Sequence, residues 1–388
     1  MPPLSFVPGN RLALLCNGEE YFPALVAAID AARAEVFLET YLFADDETGS
    51  LVAQVLARAA ARGVAVHLLL DGFGAQDFAP RFRTILENAG AQVLVFRPNI
   101  SPWTLKRNRL RRMHRKIAVI DAQVAFVGGI NVIDDHDTPG HTPPRYDYAV
   151  RVEGPLTVQI RAEAAALWSR VAWVNFRKRW VAPSPPAQTR VWSGEGHRAM
   201  LAVRDNVTHR RDIEDAYLAL IEAAREEIVI GNAYFFPGRR FRQALVAAAA
   251  RGVRVVLLLQ GRVEYALQHY ASRALYGSLL EAGVEIHEYH KSFLHAKVAV
   301  FDRRWASVGS SNIDPFSLLL AREANLFVDD LGFAGDLRRS LHQAMEAGAA
   351  QIPPQKWRHL PLTQRVRIWL GYGLARLVMA LAGTEGWH

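Results

Sequence analysis

The chain has 388 residues, 51% of them apolar, with Lys plus Arg at 46 against Asp plus Glu at 38 and a formal net charge of +8. A chain this long and apolar can bury a large core, which excludes intrinsic disorder and allows two domains or one large α/β unit. Its single cysteine, Cys16, excludes an intrachain disulfide framework and a thiolate zinc site, and fits a reducing compartment.

The positive balance rests on 40 arginines and six lysines (Lys106, Lys116, Lys178, Lys291, Lys297 and Lys356). It points to an anionic partner, nucleic acid or an anionic membrane face, without choosing between them, and solubility alone is the plainer account. From the N-terminus, Met1 to Asn10 show no charged segment followed by an apolar run, so no signal peptide is expected. No stretch reaches about 18 uninterrupted apolar residues, so no spanning helix is expected either.

The next segments occur twice. An Ala-rich amphipathic stretch ends in Ala32-Arg33-Ala34-Glu35-Val36 and leads through an apolar run to Tyr41 and Phe43; a second Ala-rich stretch then ends in RGVAVHLLLDG, Arg62 to Gly72. The order returns with Ala224-Arg225-Glu226-Glu227-Ile228, with Tyr234, Phe235 and Phe236, and with RGVRVVLLLQG, Arg251 to Gly261, at eight identities in eleven positions. His114 to Asn131 matches His295 to Asn312 at nine identities in eighteen. A shared Ala-Leu-Val bias does not produce matching His, Lys, Asp, Gly and Asn at fixed spacing, so the chain is a duplication. Each copy is predicted as helix, strand, Ala-rich helix, strongly apolar strand, a further helix and a β-rich end, an α/β pattern with a parallel or mixed sheet under helical cover. Trp180 to Pro186 is Pro-rich and reads as a linker. The expected organisation is a first lobe over 1–180, a linker over 181–198, a second lobe over 199–350 and a tail over 351–388.

The chemistry lies in two strings of the form H-x-K-x4-D: His114, Lys116 and Asp121, then His295, Lys297 and Asp302. On a strand, residues i and i+2 share a face, so each imidazole and its ammonium point to one spot. The Asp, an odd five residues beyond the Lys, belongs at the strand end or the opposite face, where it supports the fold more readily than it attacks anything. Paired imidazoles and ammonium groups without a carboxylate cluster for a metal suit metal-free displacement at a phosphodiester. One imidazole attacks phosphorus, a second gives a proton to the leaving oxygen, and the lysines neutralise the nonbridging oxygens. The predicted intermediate is a phosphohistidine, and no cofactor is called for. After each string comes a Gly-rich turn ending in Asn131 or Asn312, where small residues let backbone approach a phosphate and Asn can donate. Asp147 and Glu323 follow; a carboxylate on the far nitrogen of a catalytic His would fix its tautomer, although by sequence alone each reads as a surface acid.

These strings resemble the paired motifs of the phospholipase D superfamily over nearly the whole chain. RRMHRKIAVIDAQVAFVGGIN, NAYFFPG and VGSSNIDP look most like the B-type bacterial cardiolipin synthases. The resemblance implies two similar phospholipase D-like α/β/α lobes about a pseudo-twofold axis, with the active site at their junction. It implies phosphate binding by Asn131, Ser310 and Asn312 and His-orienting roles for Asp147 and Glu323. Gly129 stands where the first copy would need Ser, a departure that puts the equivalence of the two histidines in doubt. His114 is implied as the nucleophile, with His295 as general acid and then base.

Two basic features bear on the partner. Lys106-Arg107-Asn108-Arg109-Leu110-Arg111-Arg112, before the first motif, could dock anionic headgroups or a nucleic-acid backbone, or be a solvated charge run. Over Arg365 to Ala382 a helix would line up Val366, Trp369, Leu370, Leu374, Leu377, Val378 and Leu381 in one stripe, with Arg365 and Arg376 aligned beside it. With Arg358, Arg367 and Trp357 this reads as an interfacial helix; a terminal helix docked on the core is the alternative, and Arg376 excludes a span. The expectation is a peripheral enzyme on the cytoplasmic face of the cell membrane. It would move a phosphatidyl group from phosphatidylglycerol or phosphatidylethanolamine to phosphatidylglycerol, with phospholipid surfaces and anionic lipids as partners and neither nucleic acid nor a protein expected. A phospholipase D hydrolase and a nuclease of the same superfamily are the alternatives. Tyr41, Phe43, Tyr234, Phe235 and Phe236 are candidates to line a lipid groove that keeps water out.

Overall fold

The computed structural model describes residues 4–76, 78–98, 111–138, 142–177, 180, 196–205, 208–263, 266–314, 317 and 321–381. Most of the expected linker (181–195) and residues 106–110 of the basic run Lys106 to Arg112 lie outside the described residues, as do the side chains of Val378 and Leu381.

Seven strands build the first lobe: β1 (Val7–Cys16), β2 (Glu35–Thr40), β3 (Ala65–Asp71), β4 (Gln92–Phe96), β5 (Lys116–Ile120), β6 (Val124–Gly128) and β7 (Tyr148–Glu153). Seven more repeat them in the second: β8 (His197–Arg204), β9 (Glu227–Asn232), β10 (Arg254–Gln260), β11 (Glu285–Tyr289), β12 (Lys297–Phe301), β13 (Trp305–Gly309) and β14 (Glu323–Asp329). A short β15 (Ala349–Gln351) borders β11. Among the described residues they form one sheet in the order β15-β11-β10-β9-β12-β13-β14-β8-β1-β7-β6-β5-β2-β3-β4. Without β15 that order reads the same from either edge once repeats are equated, so the two lobes are related by a twofold between the antiparallel strands β1 and β8. In each lobe the strands of the apolar runs pair in parallel and the motif strands antiparallel, giving the expected mixed sheet.

Parallel pairing requires crossovers, and the Ala-rich segments supply them. In the first lobe α1 (Asn17–Asp30), α2 (Glu47–Ala61) and α3 (Pro80–Asn88) cover one sheet face. In the second, α5 (Asp212–Ala223), α6 (Arg239–Ala250) and α8 (Tyr276–Glu281) do the same, with α7 (Ala266–Arg273) beside α8. The repeated Arg-Gly-Val triplets end α2 and α6. Gly63 and Gly252 adopt φ +89° and +88°, a left-handed cap open to glycine, and the preceding Arg62 and Arg251 donate to the Ile29 and Ile221 carbonyls of the neighbouring helix at 3.0 and 2.9 Å.

Two features are absent from the sequence expectation. Each copy opens with a strand, β1 or β8, and these two join the lobes. Each β-rich end is followed by a long helix, α4 (Leu156–Val174) or α9 (Leu331–Gly348), on the opposite sheet face. Trp168, Ile160, Leu337 and Leu341 of these helices belong to one apolar core that takes residues from both lobes, while each lobe keeps a core of its own on the other face. Beyond it α10 (Pro354–Arg358) leads to α11 (Leu362–Leu381), which packs along α7; Trp357 lies against Tyr276 with ring centroids 5.0 Å apart.

Candidate active site

The site sits where the lobes meet, and backbone pairing builds it. Met113, before the first motif His, bridges Arg322; Leu294, before the second, bridges Tyr146. His114 N donates to the Arg322 carbonyl at 2.9 Å, and His295 N donates to the Tyr146 carbonyl at 2.8 Å. The next residues along those partner segments are Glu323 and Asp147, so each carboxylate arrives beside the histidine of the other lobe. His114 Nδ1 lies 3.0 and 3.1 Å from the two Glu323 oxygens, and His295 Nδ1 lies 2.6 Å from Asp147 Oδ2. Both acids are buried, contrary to their bland reading as surface residues. A carboxylate on Nδ1 holds the proton there and leaves the lone pair on Nε2, the atom that can attack or carry a proton.

The lysines stand beside the imidazoles. Lys116 Nζ donates to the His114 carbonyl at 2.6 Å and lies 5.4 Å from the centre of the Tyr41 ring, which packs edge-on against His114. Lys297 is fully buried and donates to the His295 carbonyl. Its Nζ is 2.9 Å from His295 Nδ1 and 3.8 Å from Asp147 Oδ2. Because Nδ1 spends its proton on Asp147, Lys297 there is the ion partner of the carboxylate rather than a donor to the ring.

Burial sets the protonation states. It depresses both imidazoles below 6.5, His295 well below, where the cations Lys297, Arg145 and Lys116 add to the effect; Glu323 partly offsets it at His114. Both rings are therefore neutral near pH 7. Burial lowers Lys116 from 10.5 to about 7, and raises Asp147 from 3.8 to about 6 against the pull of Lys297.

The Gly129 departure has a steric cause. A Cβ at Gly129 would come within 2.5 Å of Asp147 Oδ2, so the shorter acid occupies the space a Ser would need. In the other half Ser310 Oγ donates to Glu323 Oε2 at 2.6 Å. The two halves thus hold alternative pairs, Gly with Asp and Ser with Glu. Asn131 accepts from Leu42 N through Oδ1 at 3.1 Å, while the buried Asn312 Oδ1 has no hydrogen-bond partner. Among the described residues no group of three His, Cys, Asp or Glu side chains is placed to hold a metal ion.

Asp121 and Asp302 do not join this cluster, and each meets backbone N–H groups instead. Each lies five residues beyond its lysine, about 16 Å along the strand. Asp121 accepts from the backbone N–H groups of Arg33, Ala34 and Glu35 at 2.8 Å each, and Asp302 from those of Arg225, Glu226 and Glu227 at 2.8 to 3.1 Å. They fix the entry of β2 and β9. Of the groove candidates, Tyr41 touches the site, whereas Phe43 and Phe235 are core and Phe236 meets Tyr372 of α11.

Two site residues escape the sequence reading. Buried Asp71 accepts from Met113 N at 2.7 Å and from Phe73 N and Gly74 N at 2.9 and 3.1 Å, fixing the residue before His114. The signal was the Asp that RGVAVHLLLDG carries where its repeat has Gln260. Asn232, which opens NAYFFPG and faces Lys297 across the β9–β12 ladder, has a buried Nδ2 without a partner. Unpaired buried donors are costly and fit an incoming oxygen ligand.

A family model described as "Cardiolipin synthase, PLD-like domain" matches residues 25–159 and 217–345, one segment in each lobe. Cardiolipin synthase B of Escherichia coli (strain K12) is 40% identical over 362 residues, covering 92% of this chain and 86% of that protein. Cardiolipin synthase A of Yersinia pestis bv. Antiqua (strain Angola) is 32% identical over 377 residues, covering 96% and 76%. Among solved structures, the phosphatidylserine synthase of Haemophilus influenzae Rd KW20 superposes with a TM-score of 0.68 at 14% identity over 98% of this chain and 97% of that one, a likeness of fold.

Proposed function

The chain belongs to the PLD-like cardiolipin synthase family, and we propose that it makes cardiolipin by phosphatidyl transfer through a phosphohistidine, without a metal. The observation that carries this reading is the pair of imidazoles, His295 buried and His114 half-buried, each with Nδ1 held by a carboxylate of the opposite lobe and Nε2 left for chemistry. The donor is phosphatidylglycerol or phosphatidylethanolamine. Its phosphodiester anion, arriving between Lys116 and Lys297, raises the imidazole pKa values and lets one ring take a proton. The other ring's Nε2 attacks phosphorus, the bond to the headgroup oxygen breaks, and the protonated ring gives that oxygen its proton. In the return step the same ring, now neutral, takes the proton of a phosphatidylglycerol hydroxyl. That oxygen attacks phosphorus and the P–N bond breaks. The lysines, Asn131, Asn312 and Ser310 hold the nonbridging oxygens, where a metal enzyme would place a divalent ion.

The resemblance gives the nucleophile's part to His114 and the acid's to His295. The local environment favours the reverse: burial and neighbouring cations lower both rings, His295 well below 6.5, while Glu323 partly offsets the fall at His114. Mapping the phosphate-bearing histidine in a trapped intermediate assigns the parts. We place the protein on the cytoplasmic face of the cell membrane as a peripheral enzyme.

The test is lipid mass spectrometry after incubating the purified protein, with EDTA, on vesicles of phosphatidylglycerol and phosphatidylethanolamine. Cardiolipin with free glycerol or ethanolamine is expected, and the released alcohol names the donor. His114→Ala and His295→Ala should each lower turnover by about 10³-fold or more. Phosphatidic acid alone would replace transfer with hydrolysis, and no lipid product would turn the reading to nucleic acid. Full activity in either variant would overturn the two-histidine mechanism.

A further inference from the structure

Helix α11 shows the protein one face and solvent another. Its seat on α7 is narrow: Ile368, Gly371, Tyr372 and Ala375 face inward, Ala375 is 7% exposed, and a Cβ at Gly371 would lie 2.6 Å from the Cβ of Tyr270. Glycine there lets the helices approach closely. At about 100° per residue the opposite side carries Val366, Trp369, Leu370, Leu374 and Leu377. All are exposed, Trp369 at 72%, Leu370 at 56% and Leu377 at 55%. A docked terminal helix would turn such residues inward, yet here they form a continuous apolar stripe, of the kind that marks an interaction surface.

The rim decides the partner. On the same helical projection Arg365 and Arg376 edge the stripe on one side and Arg367 on the other, all exposed, and no carboxylate occurs from Leu362 to Leu381. An apolar stripe between arginine edges matches the boundary of an anionic bilayer, with the side chains among acyl chains and the guanidinium groups at phosphate level. A second copy of this chain would bring like charges together along both edges. Among the described residues no helix is long and apolar enough to cross a membrane.

We propose that the outer face of α11 is a docking surface for an anionic phospholipid bilayer and holds the second lobe against it. Its purpose rests on the lipid reading of the active site; its geometry does not. The seat on α7 makes the attachment rigid, so the lipid surface is presented to the catalytic lobes at a fixed orientation rather than through a tether.

The test is co-sedimentation of the full chain with vesicles of phosphatidylcholine containing 0 or about 30% phosphatidylglycerol, a composition chosen to give one polybasic edge enough anionic lipid. The partition coefficient should be at least about tenfold higher on the anionic vesicles. Trp369→Ser with Leu370→Ser and Leu374→Ser, all exposed positions, should lower it at least about tenfold, while turnover of monomeric short-chain phosphatidylglycerol stays unchanged. Arg365→Gln with Arg367→Gln should remove the preference for anionic vesicles. Wild-type binding in the triple variant would overturn the proposal. So would a lipid-free dimer that the triple variant converts to monomer, since the stripe would then join two copies. Absence of turnover in both proteins, with the binding difference intact, would refute the enzymatic reading and leave this one standing.

Discussion

Replacing Lys116 by methionine should remove activity and make the protein more stable. The side chain is 3% exposed, and burial outweighs the attraction of Glu323, Asp147 and Asp71 so that its pKa falls from 10.5 to about 7. The charged form is therefore less stable in the fold than in the unfolded chain. The difference corresponds to a ceiling of about 5 kcal/mol. Methionine keeps the stem and removes the charge. It loses the hydrogen bond to the His114 carbonyl, worth about 1 kcal/mol, and a net gain of about 2 to 4 kcal/mol at pH 7 follows. The folded pKa lies below the unfolded one, so between pH 7 and 10.5 the unfolded wild type binds more protons. Wild-type stability accordingly rises with pH through that window by up to about 1.4 kcal/mol per pH unit, and the variant lacks this rise. Urea unfolding of both proteins at pH 7, 8 and 9 measures the gap, which should narrow at each step. A variant less stable than wild type at pH 7, or a gap independent of pH, would refute the placement of an uncompensated ammonium in this site.

Gly129→Ala should push the Asp147 carboxylate off His295, because the new methyl would stand within 2.5 Å of Oδ2. A shift of about 1 Å in a positioning group lowers turnover about 10²-fold, to be read as kcat with the far-ultraviolet circular dichroism unchanged. Asp302→Ala, by contrast, removes the acceptor for three backbone N–H groups far from the chemistry. A stability loss of about 2 to 4 kcal/mol in urea is expected while kcat per folded molecule is kept; loss of kcat at full stability would restore that Asp to the catalytic set.

The duplication, the mixed sheet and the histidine–lysine pairs were legible because each rests on local pattern: Ala-rich helices, apolar runs, and two residues on one face of a strand. The odd offset likewise set Asp121 and Asp302 apart from the lysines. What stayed hidden depends on contacts distant in sequence. Nothing in the order of residues says that Glu323 serves His114 and Asp147 serves His295, since that follows from the Met113–Arg322 and Leu294–Tyr146 bridges across the lobes. The strand β1 was missed for a related reason: Pro8 and Gly9 in VPGNRLALLC argue against a strand, and pairing with β7 and β8 offsets that local bias. Asp71 was visible as a difference between otherwise matching strings, but its role depends on a neighbour 42 positions away.

The crossed pairing explains why one continuous sheet carries both repeats. Neither lobe owns a complete half-site, because each histidine takes its Nδ1 partner from the other copy. A lobe cut free would leave an unpaired buried carboxylate and a histidine with no fixed tautomer, and would expose half of a core that both copies fill. The shared core under α4 and α9 therefore holds each histidine to its carboxylate across the lobes as well as stabilising the fold. Asp147 fits over Gly129, where a Cβ would collide with its carboxylate, whereas the longer Glu323 leaves room for Ser310 to donate to it. Those paired differences place the two imidazoles in unequal surroundings, the asymmetry that the proposed division into an attacking ring and a proton-carrying ring requires.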